Sequence, residues 1–386
     1  MDVLALRDRV AGLYPQYLAA LEAMVNVDCG SYTVDGVNRI AGMCEQRFLD
    51  RGWEVERRPH EPADGQQRLG DLVIGTLQGS GGPSILLVGH MDTVFDEGTV
   101  AERPFRIEGE LARGPGVSDM KGGLLTGFFA THALQDVGFD GFARITYVCN
   151  PDEEIGSPFS TATIRELARR HDVAFVLEGA RANGDIVSAR KGITDYTITF
   201  TGRAAHAGVE PEKGRHAVLA AAHATIALQA LNGRWPGVTV NVGVVDGGTR
   251  TNVVPERCTL LVDLRSPELA TLEEAEREIE RIARDIAVAD VTVEVSGNGW
   301  HRPMEKRQEA QRLVDLAVRL AVELGFGVKD AATGGASDAN TTSAAGTPTI
   351  DGLGPVGGDD HAPAEWLDLT SVVPRTALLA GLIANL

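Results

Sequence analysis

Cysteine is scarce in this chain of 386 residues, and the four present, Cys29, Cys44, Cys149 and Cys258, form no Cys-x-x-Cys pair. A disulfide framework is therefore not expected; with apolar neighbours, they read as reduced core thiols of a cytoplasmic protein. Basic charge is also short: 36 Lys and Arg against 54 Asp and Glu leave a formal charge of −18. Phosphate backbones and anionic membranes are disfavoured by that field, so neither nucleic acid nor membrane is an expected partner. No apolar run is long enough for a membrane span. The N-terminal "MDVLALRDRVAGLYPQYLAALEAMV" reads as an amphipathic helix interrupted by charges and Pro15, without the parts of a secretory signal. Repeats, low-complexity tracts and long charge runs are missing as well.

What is present is an alternation of helical and strand patterns with 43% hydrophobic residues, enough for two or three domains. Helices are expected near 4–26, 36–51, 121–137 and 160–170, and strands near 53–58 and 71–77, in "SILLVGH", in "ARITYVC" and in "VAFVLEG". Continuous apolar strands separated by helices predict a doubly wound, mostly parallel α/β sheet. The pattern changes near residue 188. "DYTITFTG", a helix over 214–231, "VTVNVGVVDGG", "CTLLVDLRS", a helix over 271–287 and "VTVEVSG" give a β-α-β-β-α-β order, expected to form a ferredoxin-like α+β domain. A helix over 308–324, the strand "TPTIDGLG" and a helix over 368–385 return to the first style. The reading is a catalytic domain of residues 1–187 and 298–386 with an insertion at 188–297.

Sites in open α/β sheets gather beyond the carboxyl ends of the strands, and there the sequence places unusual polarity. "ILLVGHMDT" ends in His90 and Asp92, "ITYVCNPDEE" in Glu153 and Glu154, and "VAFVLEGA" in Glu178; Asp119 lies in "GPGVSDMKGG" before a helix, and His361 follows "TIDGLGPVGGDD". Adjacent glutamates repel, and a divalent cation is what offsets that. Imidazole and carboxylate ligands without thiolate suit zinc, alone or paired. In His90-x-Asp92 both side chains point the same way, so Asp92 could orient the imidazole. One of Glu153 and Glu154 could ligate while the other acts as general base. Either motif alone is more often a solvated turn. Asp152, Asp359 and Asp360 read as solvated neighbours, and His60, His132, His171, His216, His223 and His301 as ordinary surface or capping residues.

The motifs "GHMDTV", "GPGVSDMKGG", "NPDEEIGS", "VLEGA", "FTGRAAHAG", "TNVVPE", "HRPMEK", "TGGASDA" and "DDHAPAEWLDL" run through nearly the whole chain. In this order they resemble the di-zinc exopeptidase and aminoacylase family, most closely its carboxypeptidase G (glutamate carboxypeptidase) branch. The resemblance implies two Zn2+ per subunit, with Mn2+ or Co2+ able to take the same ligands. Asp119 would bridge one ion held by His90 and Glu178 and another held by Glu154 and His361, with Glu153 as general base and Asp92 orienting His90. The peptide after the bridging aspartate is commonly cis in the family. The inserted domain resembles the family's lid, which also forms a homodimer. His206 of "RAAHAG" would reach the partner's active site and bind the oxyanion. Arg302 matches an arginine that grips the substrate carboxylate, Asn252 a lid residue facing the substrate, and Gly334, Gly335 and Ser337 the pocket loop. Arg190 and Lys191, in "SARKGIT", depart from the branch's pattern: they either contact an acidic group of the substrate or are solvated hinge charges.

The expected activity is a zinc-dependent metallo-carboxypeptidase cleaving an amide bond to a C-terminal amino acid, glutamate above all, in a small-molecule or peptide substrate with a free carboxylate. An N-acyl-amino-acid amidohydrolase shares the same centre. A catalytically silent binding protein is disfavoured, because an empty cluster of six polar residues destabilises itself.

Overall fold

The computed structural model describes residues 1–285 and 287–386 and divides into two compact units; the expected helix over 271–287 runs into residue 286, outside the described residues. The first unit comprises Met1–Ser188, Lys306–Ala332 and Ser337–Leu386, the second Ala189–Glu305 and Thr333–Ala336. The second therefore extends past residue 297. Its last strand does not stop at "VTVEVSG" but continues to His301.

The first unit is built on a six-stranded sheet. Strands β1 (Glu54–Arg58), β2 (Leu72–Gln78), β3 (Ser84–His90), β4 (Arg144–Asn150) and β5 (Val173–Val176) run in the order β1-β2-β4-β3-β5, followed by Thr349–Ile350. From β4 through β3 and β5 to Thr349–Ile350 every pairing is parallel, while β1 and β2 are antiparallel additions. Strands β3 and β4 are buried from the second residue on, which is why their sequences are continuous apolar runs rather than alternating ones. Their register sets His90 opposite Asn150, so both strands deliver their polar ends at one level.

Helices Val3–Val25, Gly123–Asp136 and Leu369–Ala384 pack in one core with this sheet, burying residues such as Leu6, Val10, Leu13 and Tyr17 of the first. That helix is not interrupted at Pro15; it continues through it, with Asp2 capping its start by accepting from Leu4 N–H. Helix Gly123–Asp136 lies so close to the end of β5 that a Cβ on Gly123 would sit 1.7 Å from Leu177 O. Two of the features that escaped the sequence reading bear on the site. One is a small antiparallel sheet of Arg106–Glu108, Leu111–Arg113, Trp366–Asp368 and Gly357–Gly358, and the other is helix Asp338–Ala344. "TPTIDGLG" is regular strand only at Thr349–Ile350.

The second unit is an antiparallel sheet of β6 (Gly192–Thr201), β7 (Thr239–Gly247), β8 (Arg257–Ser266) and β9 (Thr292–His301), ordered β7-β8-β6-β9. With helices Ala217–Gln229 and Leu269–Arg284 after β6 and β8, this is the split β-α-β topology that the element order implied. Tyr196, Ile198 and Phe200 alternate into a core with Leu260, Val262, Leu272 and Ile279, leaving Asp195 and Thr197 of β6 exposed.

Candidate metal centre

His90 closes β3 with its ring 1% exposed. Its Nδ1 lies 3.0 Å from the carbonyl oxygen and 3.3 Å from Oδ1 of Asp92, so this nitrogen carries the proton and donates. The other nitrogen, Nε2, faces Asp119 Oδ1 at 3.1 Å and Glu178 Oε1 at 3.7 Å. Across the cluster His361 Nε2 stands 3.0 Å from Asp119 Oδ2 and 3.2 Å from Glu154 Oε2. The two oxygens of Asp119 thus face two different histidines.

Among the described residues two sets offer ligand atoms within 4.8 Å of one another: His90, Asp119 and Glu154, and His90, Glu153 and Glu178. Glu154 Oε1 is buried without a hydrogen-bond partner. A buried carboxylate oxygen left bare costs free energy that a cation beside it removes. Donor chemistry agrees, since all four cysteines are free and buried elsewhere, and imidazole with carboxylate fits a divalent cation of the zinc type.

The electrostatics record the crowding of negative charge. Burial alone would lift Asp119, but hydrogen bonds with His361 and His90 outweigh it and hold the carboxyl below its usual range. Burial pushes Glu153 well above that range, with His90 opposing and Glu178, Glu154 and Asp338 adding to the rise. Hydrogen bonds to Asp119 and then Glu154 raise His361 to about 10.

The surroundings hold these groups in place. Asp92 accepts from Ser31 Oγ at 2.6 Å and from the backbone N–H groups of Glu153 and Glu154, both at 3.2 Å. Glu365 was missed in the sequence although it sits in "DDHAPAEWLDL". Nearly fully buried, it accepts from Ser118 N–H at 2.7 Å, Asp119 N–H at 3.0 Å and Gly116 N–H at 2.9 Å, while burial raises its carboxyl to about 7. It thereby fixes the loop that carries Asp119, and the Asp119–Met120 peptide is cis, as the resemblance implied. Lys121, also buried, donates to Val27 O and Pro115 O from the far side of that loop. Asp338 was missed too; it accepts from Asn150 Nδ2 and from Ser157 Oγ at 2.7 Å, clamping both ends of the turn that carries Glu153 and Glu154.

Some expectations need correction. Asp152 is not a solvated neighbour: it is completely buried, accepting from Phe159 N–H at 2.6 Å and from Ser160 Oγ. His132, His171 and His301 are buried rather than superficial, because the packing of their elements encloses them. His216 does cap a helix, accepting from Leu219 N–H.

The remaining candidates lie on the second unit, apart from Ser337. His206 is exposed, its Nδ1 accepting from Gly208 N–H, and it bridges to Val253 while Asn252 O accepts from Ala207 N–H. His206 and Asn252 therefore share one hairpin-like pairing. Arg302 is engaged with both oxygens of Glu276 at 3.0 and 3.1 Å. The carbonyls of Gly334 and Gly335 accept from Arg265 and Arg190, and Lys191 N–H donates to Thr333 O. Arg190 is 7% exposed, which overturns the solvated-hinge reading for that residue. Ser337, buried on the first unit, accepts from Ala339 N–H as a helix cap and donates to Asp351 Oδ2 at 2.7 Å.

A metal-dependent hydrolase with an α/β core and an α+β insertion is the class that this fold and donor set define. The chain belongs to peptidase family M20/M25/M40, whose profile matches residues 86–385. It is similar to carboxypeptidase G2 of Pseudomonas sp. (strain RS-16), 30% identical over 376 residues that cover 96% of this chain and 89% of the relative. It is also similar to acetylornithine deacetylase of Proteus mirabilis (strain HI4320), 27% identical over 352 residues and 86% of each chain. Among solved structures, the aminopeptidase PepT from Bacillus cereus shares the fold at a TM-score of 0.79, with 24% identity over 96% of this chain and 98% of that one. Among the described residues no helix is long and apolar enough to cross a membrane.

Proposed function

We propose that this chain is a cytoplasmic carboxypeptidase that hydrolyses the amide bond to a C-terminal amino acid, glutamate or another acidic residue, at a two-zinc centre. The observation that carries the reading is Asp119, each of whose oxygens faces a different histidine. In this reading Asp119, His90 and Glu178 would hold one ion, and Asp119, Glu154 and His361 the other. When bound, the ions supply polarisation of the scissile carbonyl and a lowered pKa for the attacking water.

The protein's own groups do the rest. Glu153 accepts a proton from the attacking water and delivers it to the leaving nitrogen as the carbon–nitrogen bond breaks, so that the products are an acid and a free amino acid. Asp92 keeps the His90 proton on Nδ1 and ties the backbone of Glu153 and Glu154 to the same carboxylate. On the second unit, which serves as lid and dimerisation domain, His206 of a second copy donates to the oxyanion. Arg302 exchanges Glu276 for the substrate's carboxylate, a bidentate match, with Asn252, Gly334, Gly335, Ser337, Arg190 and Lys191 completing the substrate contacts.

Similarity to carboxypeptidase G2 across 96% of the chain favours this reading. The second reading, an N-acyl-amino-acid amidohydrolase, is favoured by the similarity to acetylornithine deacetylase. Turnover on one aroyl group joined in turn to glutamate, aspartate, alanine and leucine separates them. Preference for the acidic residues supports the carboxypeptidase, and indifference to the amino acid supports the amidohydrolase.

A further inference from the structure

Among the described residues Arg375 is the largest side chain that the fold buries completely, and it lies on helix Leu369–Ala384 of the first unit. Val372, Leu378 and Leu379, buried on the same helix, are apolar, as a core requires. Burial draws the guanidinium down to about 10, with Asp185 opposing, so it is charged at neutral pH. Taking such a charge out of water is costly unless hydrogen bonds offset it. Here the acceptors are three backbone carbonyls: Nε donates to Gly354 O at 3.0 Å, one terminal nitrogen to Gly184 O at 2.9 Å and the other to Gly352 O.

Those carbonyls belong to two segments. One is the turn 181–185, which follows Glu178 and closes through Gly184 N–H to Arg181 O and Arg181 N–H to Asp185 O; the other is 352–355, which follows Thr349–Ile350 and leads to His361. A rigid fork of donors can span the two, as a single ammonium cannot. The segments also join each other beside Glu178: Gly354 N–H donates to Glu178 O at 2.8 Å, Ala180 N–H donates to Pro355 O at 3.0 Å, and Ala180 and Val356 form a parallel bridge. Gly354 has no room for a side chain, since a Cβ would lie 2.8 Å from Glu178 O. One turn earlier on the helix, Ser371 Oγ accepts from Val356 N–H at 2.9 Å, so two residues on one helix face grip the chain that leads to His361. Glu178 and His361 in turn face His90 at 3.7 Å and Asp119 at 3.0 Å.

We propose that Arg375 is a positioning residue of the metal centre: by holding the backbone that follows Glu178 and the backbone that leads to His361 on one guanidinium, it keeps these two candidate ligands in register. The inference rests on the two-ion reading above, in which Glu178 and His361 serve different ions. It adds to that reading a residue whose three hydrogen bonds go to backbone carbonyls, and which acts through the ligands rather than on the substrate.

The test compares two variants of Arg375 with a control on the same helix. Arg375→Lys keeps the charge but replaces the fork with one nitrogen, and Arg375→Met keeps the length and offers no donor. Leu382→Ala, at another fully buried position of the helix, lowers stability without touching the two segments. Zinc affinity, by competition with a chelating dye, and the visible spectrum of the cobalt-loaded protein are read on each variant, with urea titration showing that it is folded. Zinc affinity is expected to fall by on the order of 10-fold in Arg375→Met and by less in Arg375→Lys, with an altered cobalt spectrum in both. Leu382→Ala should lower the urea midpoint and leave affinity and spectrum as in the wild type. Unchanged affinity and spectrum in folded Arg375→Met overturn the inference, as does an equal loss of affinity in Leu382→Ala. If Arg375→Met does not fold, Arg375→Lys decides alone: weaker zinc binding with an altered spectrum supports the inference, and wild-type values overturn it. Wild-type protein that binds neither zinc nor cobalt overturns the two-ion reading and this inference with it, and is thereby distinguished from a failure of Arg375 alone.

Discussion

Asp92 shows how much one buried carboxylate can do at the scale of a residue. It faces the His90 ring, accepts from Ser31, and receives the backbone N–H groups of both Glu153 and Glu154. In Asp92→Asn the amide keeps the shape but turns one acceptor into a donor, against N–H and O–H groups that are themselves donors. Metal affinity is expected to fall by about 10- to 100-fold; equilibrium dialysis against a zinc buffer measures it. A second residue controls acid stability. Burial, with Arg51 and then Arg47 nearby, lowers His132 to about 3 despite Asp136 and Asp50. Between that value and about 6.5, its ordinary pKa, the unfolded chain binds a proton that the folded one refuses, so folding stability is lost as pH falls through this window. Denaturant titrations at pH 7 and pH 4 should show a smaller loss in His132→Leu than in the wild type. The residues at the strand ends were legible because motif and position coincide there: His90, Asp92, Asp119, Glu153, Glu154, Glu178 and His361 all come from quoted motifs. Burial was not legible. Asp152 stands next to Glu153 in the same motif, yet the fold turns it inward to Phe159 N–H and Ser160.

At the scale of an element, the long helices and the apolar strands are set by periodicity, and their observed limits lie within a few residues of those read from the sequence. Very short strands carry no period, so the sheet that includes Gly357–Gly358 and Trp366–Asp368 could not be seen, although the chain between those strands holds His361 and Glu365. Helix Asp338–Ala344, "DANTTSA", has a polar composition that argues against a helix. A capping box between Ser337 and Asn340 starts it, and packing encloses it. Close approach is a further property of elements that no period reveals. Helix Gly123–Asp136 reaches Leu177 O only because Gly123 lacks a Cβ. Gly123→Ala is expected to cost about 3 kcal/mol, since backbone rather than a flexible side chain meets the new methyl. The drop would be read as a lower urea midpoint with an unchanged slope.

For the whole molecule, the composition disfavoured some partners and chose none. Its −18 charge fits a protein that does not seek phosphate backbones, while the change of strand pattern near residue 188 marks the start of the second unit at Ala189. Which surface of the second unit a second copy would cover was beyond the sequence, because exposure decides it. On the second unit Leu219, Ile226, Val244 and Val245 remain exposed at 46, 71, 45 and 54%. If a second copy covers this surface, as the dimer in the proposed function requires, Ile226→Glu should shift sedimentation toward the monomer and lower turnover with it. Wild-type protein sedimenting as a monomer at micromolar concentration would count against the dimer.

In the proposed function the cluster around Asp119 works as a two-cation hydrolytic centre. Its most direct test is to strip the protein with a chelator and follow hydrolysis of N-benzoyl-glutamate as zinc is returned in known amounts. No turnover is expected in the stripped protein, with recovery that rises to a maximum at two zinc ions per chain. Full turnover by protein shown to be free of metal, or a maximum already reached at one ion, would contradict it.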